Sequence, residues 1–285
     1  MNRQSIKIKI KSIYRDLSKK ESIIADYILK NPKTVSRMTI NQISSTLGFA
    51  DSTVFQFTKK LGYKGFRDFR NDLLTEEFDP EISVHEKIKK EDSPLVMAQK
   101  VFESTITSLQ NTFSLLELEK LEKATNIILK SSKLSFFGVG GSNVVCYDAY
   151  HKFLRSPIPC NFSIDYHIQL MNASLLTKDD CAFIITHTGL TKETKNLAEI
   201  IKNKGAKLIV LTSYPLSDLA KIADLVFVSV SEETGYRSES LASRIAQLAI
   251  IDSLFAIIMF NDEKKTAARL RQIRGVITPT KDEVN

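Results

Sequence analysis

From Lys133 onward the hydrophobic pattern settles into five short apolar runs, LSFFG, PCNFSI, CAFIIT, KLIVLT and DLVFVSV, separated by segments with helical spacing. Short apolar runs that lack polar alternation are buried on both faces, and strands that alternate with helices close into a parallel sheet covered on both sides. Ligands of such sheets sit outside the carboxyl ends of the strands. Two of those ends are unusual. GVGGS at 138–142 follows the first run, and THTGLT at 186–191 follows the third.

A dinucleotide turn needs G-x-G-x-x-G, the third glycine allowing helix and strand to pack closely. Gly138 and Gly140 fit that spacing, but the third position is Asn143; Asp165, near the end of the second run, would be the acidic residue that holds a ribose. The second loop points to a smaller anion. Thr186, Thr188 and Thr191 surround Gly189 ahead of the helical segment TKETKNLAEIIKNKG. Hydroxyls beside free backbone N–H groups at a helix N-terminus make a phosphate site, with the helix dipole favouring the anion. Ser142 occupies the equivalent place after the first run. The plainer alternative is that these Ser and Thr residues only cap helices.

The N-terminal quarter reads as short helices. Ser18 with Glu21 has the form of a capping box, followed by Ile23, Ile24, Tyr27 and Ile28 on one face and by the stop signal Asn31-Pro32. Thr39 with Gln42 repeats the box, and Ile40, Ile43 and Leu47 give a second stripe that Gly48 ends. Asp51 or Ser52 is expected to cap a third helix, with Val54, Phe57 and Leu61 inward and Gly62 at its end. Phe66, Phe69 and Leu73 make a further stripe packing beneath.

The outer face of the third helix carries Ser52, Thr53, Gln56, Lys59 and Lys60. Two short helices joined by a tight glycine turn, the second polar and basic outside, describe a helix-turn-helix whose second helix enters the major groove. Ser, Thr and Gln suit base edges and phosphates, and lysines suit phosphates. A polar helix face is also what a solvated surface looks like, so the distribution of charge matters. Residues 1–77 hold 15 Lys/Arg against 8 Asp/Glu, whereas residues 78–285 hold 25 of each. The whole excess of +7 lies in the first quarter, as expected of a polyanion-binding module joined to a neutral one.

With 43% hydrophobic and 26% charged residues over 285 positions, the composition is that of a two-domain globular chain. The longest apolar stretch, Ala246 to Phe260, contains Gln247 and Asp252 and falls short of the ~20 residues of a spanning helix. It is expected to be a buried or interface helix and part of a dimer contact. The N-terminus alternates Lys with Ile and has no secretory pattern, so a cytoplasmic location and no membrane partner are expected. Cys146, Cys160 and Cys181 are too scattered for a disulfide framework or a thiolate zinc site and read as buried thiols. His85, His151, His167 and His187 show no metal-ligand spacing, and no metal or cofactor is expected.

TINQISSTLGFADSTVFQFTKKLGYKGFRDFRNDL closely resembles the helix-turn-helix of the RpiR-type bacterial transcriptional regulators. FFGVGGSNVVCYDAYHKFLR, THTGLTKET and ASRIAQLAIIDSLF resemble the sugar isomerase (SIS) domain that follows it in that family, so the resemblance covers nearly all of residues 1–260. It implies an all-α helix-turn-helix domain followed by an α/β domain with a five-stranded parallel sheet flanked by helices, the SIS fold. Expected boundaries are residues 1–77 for the helix-turn-helix, 78–105 for a linker and hinge, 106–262 for the SIS domain and 263–285 for a C-terminal helix and tail.

The resemblance further implies a homodimeric or higher-order regulator, not an enzyme, that binds operator DNA and senses a phosphorylated sugar. Its effector site falls on Gly141, Ser142, Thr186, His187, Thr188 and Thr191, with Glu239 at the sugar end. Its DNA contacts fall on Ser52, Thr53, Gln56, Lys59, Lys60 and Lys64. Gln56 stands where the family often has Arg, and Ala50 where it often has Ser, which bears on the operator sequence. Two alternatives use the same residues. An SIS-type isomerase or lyase would use His187 and Glu239 for proton transfer, and a redox sensor would bind a dinucleotide.

Overall fold

The computed structural model describes residues 6–75, 91–230, 241–261 and 263–280. The chain divides into two compact units, one drawn almost wholly from residues up to Ser104 and the other beginning at Thr105. Glu239 and His85 lie outside the described residues, as does the part 78–90 of the expected linker.

The N-terminal unit is helical. The alternating Ile and Lys of the N-terminus form α1 (Ile6–Ile13), because Ile6, Ile10 and Ile13 fall on one helical face and are buried there. Both expected capping boxes are present. In front of α2 (Lys19–Lys30) the Glu21 N–H donates to Ser18 Oγ and the Ser18 N–H to Glu21 Oε2 at 2.7 Å. In front of α4 (Ile40–Leu47) Thr39 and Gln42 exchange the same pair of bonds. Between them Pro32 ends α2 after Asn31 and opens the short α3 (Pro32–Val35). Two further helices, α5 (Asp51–Lys60) and α6 (Phe66–Thr75), complete the unit. Phe57 of α5 and Phe69 of α6 are fully buried among Ile24, Ile28, Ile43 and Val54, and Tyr63 meets Phe69 edge-to-face at 5.4 Å.

Three local expectations differ from this. Ile23 points outward at 43% exposure and Ala25 takes the inward place, since α2 turns its 24–25–28 edge to the core. Helix α5 has Ala50 as its N-cap with no side-chain cap bond. Asp51 is its first helical residue, and its carboxylate instead accepts the Ser44 hydroxyl across the turn. Helix α7 (Pro94–Ser114) begins where the helical spacing of 95–129 resumes, at the carboxyl end of the expected linker and hinge. The spacing of Val101, Ile106, Leu109 and Phe113 predicts one apolar face for this helix, but Ile106 and Phe113 are exposed, and Ser108 and Thr112 are buried in their stead. Thr112 is drawn inward because its hydroxyl accepts the Val230 N–H at 3.0 Å.

The C-terminal unit is a three-layer α/β domain. After α8 (Leu118–Lys130) come β1 (Leu134–Phe137), α9 (Ser142–Phe153), β2 (Cys160–Phe162), α10 (Tyr166–Ser174), β3 (Cys181–Ile185) and α11 (Lys192–Asn203). Then follow β4 (Lys207–Thr212), α12 (Asp218–Ile222), β5 (Leu225–Val228), α13 (Leu241–Asn261) and α14 (Glu263–Ile277). All strands are parallel, in the order β2-β1-β3-β4-β5. Strand alternation divides the core in two. Phe136, Phe183 and Leu211 pack against α8, α9 and α13, while Phe137, Ile184 and Val210 pack against α10, α11 and α12. At ~1.5–3 kcal/mol for each large apolar side chain taken from water, these two layers are the main stabilising term.

Helix α13 is longer than the apolar run alone suggested, and its stretch Ser243–Asn261 has the length and composition of a membrane span. Ala246, Ile250, Ile251, Leu254 and Ile258 nevertheless sit in the core against α8 and α9.

One carboxylate staples the amino end of β4 to the turn before β5. Asp224 Oδ2 accepts the Leu208 N–H and the Lys202 ammonium, each at 2.8 Å, with Lys207 3.9 Å from Oδ1. Burial by itself would raise its pKa, but these donors outweigh it and hold the group below the ordinary 3.8. Its stabilisation is therefore fully present above that ordinary value and is lost as pH falls through the lower folded value. Asp224→Ala is expected to cost about 2 kcal/mol at pH 7. Urea midpoints measured down a pH series should show the gap to wild type closing in acid.

Candidate functional site

Two sites emerge, one in each unit. In the N-terminal unit α4 ends on Gly48, whose φ of +70° lets the Phe49 N–H reach back to the Ser44 carbonyl at 2.8 Å. The chain then enters α5 within three residues, and Gly62 (φ +87°) closes that helix. With Val54, Phe57 and Thr58 buried, α5 presents Ser52, Gln56 and Lys59 outward, with Thr53 half-buried at the margin. Lys64 is exposed just beyond the helix. Lys60 is placed differently from the other lysines. Its ammonium donates to both oxygens of Glu21, at 3.1 and 2.9 Å, and to the Asp16 carbonyl. Burial by itself would raise the pKa of Glu21, but the Ser18 N–H and Lys60 hold it below the ordinary carboxylate range. Lys60 therefore spends its charge tying α5 to the capping box of α2, because its stem leaves α5 on the side facing α2.

Two features of this face carried no sequence signal. Phe55 is 39% exposed among the polar residues of α5. Thr34, Arg37, Met38 and Gln42 line an open depression of about 420 Å³ beside the amino end of α4.

In the C-terminal unit the sheet reverses direction at β1. The connection from β1 leads outward to β2, whereas β3 lies on the other side of β1, so the two loops expected to bind a ligand leave neighbouring strand ends at the switch point. The register puts Phe137 opposite Ile184 and brings Gly138 beside Ile185. A Cβ on Gly138 would lie 2.7 Å from Cys146 Sγ and 3.0 Å from the Ile185 carbonyl, so only glycine fits. Gly140 turns the chain at φ +57°, and α9 starts at Ser142 with Gly141 as N-cap and no side-chain cap bond.

Across the crevice Gly189 (φ +66°) turns the second loop, and a Cβ there would meet Ser217 Oγ at 2.7 Å. Thr186 is buried, its Oγ1 accepting the Gly189 N–H at 3.1 Å; Thr188 Oγ1 accepts the Leu190 N–H at 3.2 Å. Thr191 is the N-cap of α11, yet its hydroxyl pairs with that of Thr194 at 2.6 Å and makes no cap bond. His187 is anchored through its backbone carbonyl, which accepts Thr212 Oγ1 and the Ser213 N–H. Ser142, with Gly141, and Thr186, His187, Thr188 and Thr191 thus gather at adjacent strand ends.

The dinucleotide features are otherwise engaged. Asp165 Oδ1 accepts the Ile168 N–H as the cap of α10, and Asn143 is buried with its amide on the Ile164 carbonyl. Cys146 and Cys181 are buried free thiols whose pKa burial raises, and burial lifts the partly covered Cys160 to about 11.

The helix-turn-helix profile of the rpiR family matches residues 4–79, and the SIS domain profile matches residues 127–257. An uncharacterized HTH-type transcriptional regulator of Caldanaerobacter subterraneus subsp. tengcongensis is 34% identical over 87% of this chain and 88% of its own. The chain belongs to the RpiR family of HTH-type transcriptional regulators. The Escherichia coli K12 member RpiR is 29% identical over 85% of this chain and 82% of its own. Among solved structures the Vibrio vulnificus NanR protein, complexed with ManNAc-6P, shares the fold at TM-score 0.62 and 22% identity, covering 97% of this chain and 100% of that one. The five-stranded parallel sheet flanked by helices is thus the SIS fold of an RpiR-family regulator.

The two positive-φ glycines of the strand-end loops separate backbone strain from crowding. Gly140→Ala meets open space and is expected to cost about 1 kcal/mol through strain alone. Gly189→Ala must also displace Ser217, and about 2–3 kcal/mol is expected. Chemical denaturation of the two variants checks the order.

Proposed function

We propose that this regulator senses a phosphorylated sugar at the ends of β1 and β3 and thereby sets its affinity for operator DNA. The observation that carries the reading is that α9 and α11 both begin at the switch point without a side-chain cap, amid the hydroxyls of Ser142, Thr186, Thr188 and Thr191. Two helix dipoles aimed at one crevice favour a compact dianion; neither first turn has a side-chain cap, and in α9 the first-turn N–H groups donate to the Val139, Gly140 and Gly141 carbonyls of the loop. A dinucleotide would need the ribose carboxylate and the third glycine, and Asp165 and Asn143 are committed elsewhere. The ManNAc-6P bound by the similarly folded NanR protein supports a sugar phosphate as the class of effector. Glu239 is proposed for the sugar end on the family pattern alone.

On the DNA side, Ser52, Thr53 and Gln56 are proposed for base edges and phosphates, and Lys59 and Lys64 for phosphates. Lys60 serves the scaffold through Glu21. The protein acts in the cytoplasm as a homodimer, so its operator is near-palindromic. Effector binding shifts operator affinity by the difference in its binding to the DNA-competent and DNA-incompetent states, and DNA shifts effector affinity by the same factor. The site is a sensor and not a catalyst, in keeping with relatives named as transcriptional regulators.

Fluorescence anisotropy with DNA from upstream of the chain's own gene tests both halves. Salt-sensitive binding that shifts on adding one of a panel of sugar phosphates is expected. No salt-sensitive binding sinks the DNA reading, and binding indifferent to every sugar phosphate and amino sugar phosphate sinks the effector reading. Lys59→Ala removes one phosphate contact from each head of the dimer and is expected to lower the slope of log affinity against log salt by about 1.8. Lys60→Ala should leave that slope unchanged and instead lower the melting temperature.

A further inference from the structure

Gln169 lies outside every residue set so far, yet among the described residues it makes an unusually complete buried polar contact. It is 1% exposed, on the inner side of α10. Its Oε1 accepts the Gly138 N–H at 3.1 Å, and its Nε2 donates to the Gly138 carbonyl at 2.8 Å and to the Ser163 carbonyl at 2.9 Å. Asn143 Oδ1 lies a further 3.4 Å from the same nitrogen.

The sheet explains why an amide is needed there. In a parallel ladder the N–H and C=O of one residue face the same neighbour, and successive residues face opposite neighbours. The Leu134 N–H donates to the Pro159 carbonyl on the β2 side, whereas the Lys133 carbonyl accepts the Cys181 N–H on the β3 side. Leu134, Phe136 and Gly138 therefore all turn their peptide groups toward β2. That strand runs out too soon. Its last paired residue is Phe162, opposite Phe136, and the next residues bend away, the Asp165 N–H donating to Ser163 Oγ as the chain enters α10. Gly138 is left with a donor and an acceptor facing a strand that has ended. The Gln169 side chain has the same two groups as a peptide and fills the missing rung, while its second hydrogen holds Ser163, the first residue past β2.

We propose that Gln169 is a positioning residue for the anion site: its amide replaces the missing peptide of β2 and fixes the direction in which β1 enters the loop Gly138–Ser142. This role rests on the sugar phosphate reading above. Gly138 is the residue whose neighbours allow no side chain, and it is gripped by Gln169 on the β2 side while the Ile185 carbonyl and Cys146 bound it elsewhere. Gly140 then turns, and Ser142 opens α9 from a direction set before any anion arrives. A loop held in its bound path loses less conformational freedom on binding and so binds more tightly. The role also explains Asn143. In place of the third glycine of a dinucleotide turn it supplies an acceptor beside Gln169 and a donor to the Ile164 carbonyl, joining the start of α9 to the same network.

Gln169→Met keeps the length and flexibility of the side chain and removes both bonding functions. Titration calorimetry of wild type, Gln169→Met and Asp224→Ala with glucose 6-phosphate, N-acetylmannosamine 6-phosphate and inorganic phosphate decides the matter. Asp224→Ala weakens the same unit far from the loop and controls for destabilisation. The expected result is at least tenfold weaker binding by Gln169→Met of whichever probe the wild type binds, with Asp224→Ala within twofold of wild type and DNA affinity in the absence of sugar phosphate unchanged. Binding by Gln169→Met within twofold of wild type overturns the positioning role alone. A wild type that binds none of the probes overturns the effector reading and this role with it. If Gln169→Met does not fold, hydrogen exchange in the wild-type chain decides: the Gly138 amide is expected to be as protected as that of Phe136, and exchange at the rate of an unstructured chain overturns the proposal.

Discussion

The close approach of β1 and β3 at their carboxyl ends is the constraint on which the strand-end site depends. Both strands are buried on both faces, so their mutual register is set by two hydrophobic layers and not by the loops. With Phe137 held opposite Ile184, the next position has no room for a Cβ against Cys146 and the Ile185 carbonyl, and β1 must end in glycine. The same register places the start of α9 beside the loop that leads to α11. Two helix N-termini converge because the sheet reverses its winding between these strands. The chemistry of the crevice follows from packing well away from it.

A comparable economy governs the N-terminal unit. The capping box at Ser18 and Glu21 satisfies the first turn of α2, and its carboxylate also receives Lys60 from α5. One acidic residue thereby serves helix initiation and helix–helix placement together. A half-buried carboxylate with a backbone N–H and an ammonium as donors is worth more than an exposed ion pair, whose contribution is ~0–1 kcal/mol. The outer face of α5 is then free to carry residues chosen for a partner.

Much of this was legible in the sequence where the signal was local. The boxes at Ser18/Glu21 and Thr39/Gln42, and the helix ends at Gly48 and Gly62, involve donors and acceptors within a few residues of one another. The inner strands β1, β3 and β4 were legible because burial on both faces demands continuous apolar runs, and the half-buried edge strands β2 and β5 were legible from shorter runs that keep the alternation with helices. The failures were of another kind. Ile23, Ile106 and Phe113 have helical spacing that marks a stripe, but which edge of a helix turns inward depends on what lies across from it. Asp51 looked like a cap because it precedes an apolar stripe; Ser44, brought near by the turn, engaged its carboxylate. Lys60 looked like its neighbour Lys59, and only the position of Glu21 separates them.

The sequence by itself determined that this is an RpiR-type chain: a basic helix-turn-helix joined to a parallel α/β domain with two glycine-bearing strand ends. Those properties reside in periodicity, charge and turn residues, which act over short stretches of chain. Tertiary structure alone decided which polar side chains face solvent and which complete the scaffold. Gln169 shows the difference most clearly. In YHIQLMN it is an ordinary helical glutamine, and it gains its place as the missing rung of β2 only when two strands of unequal length lie side by side. A buried peptide group must find a partner wherever one lies in space, and sequence distance does not record that.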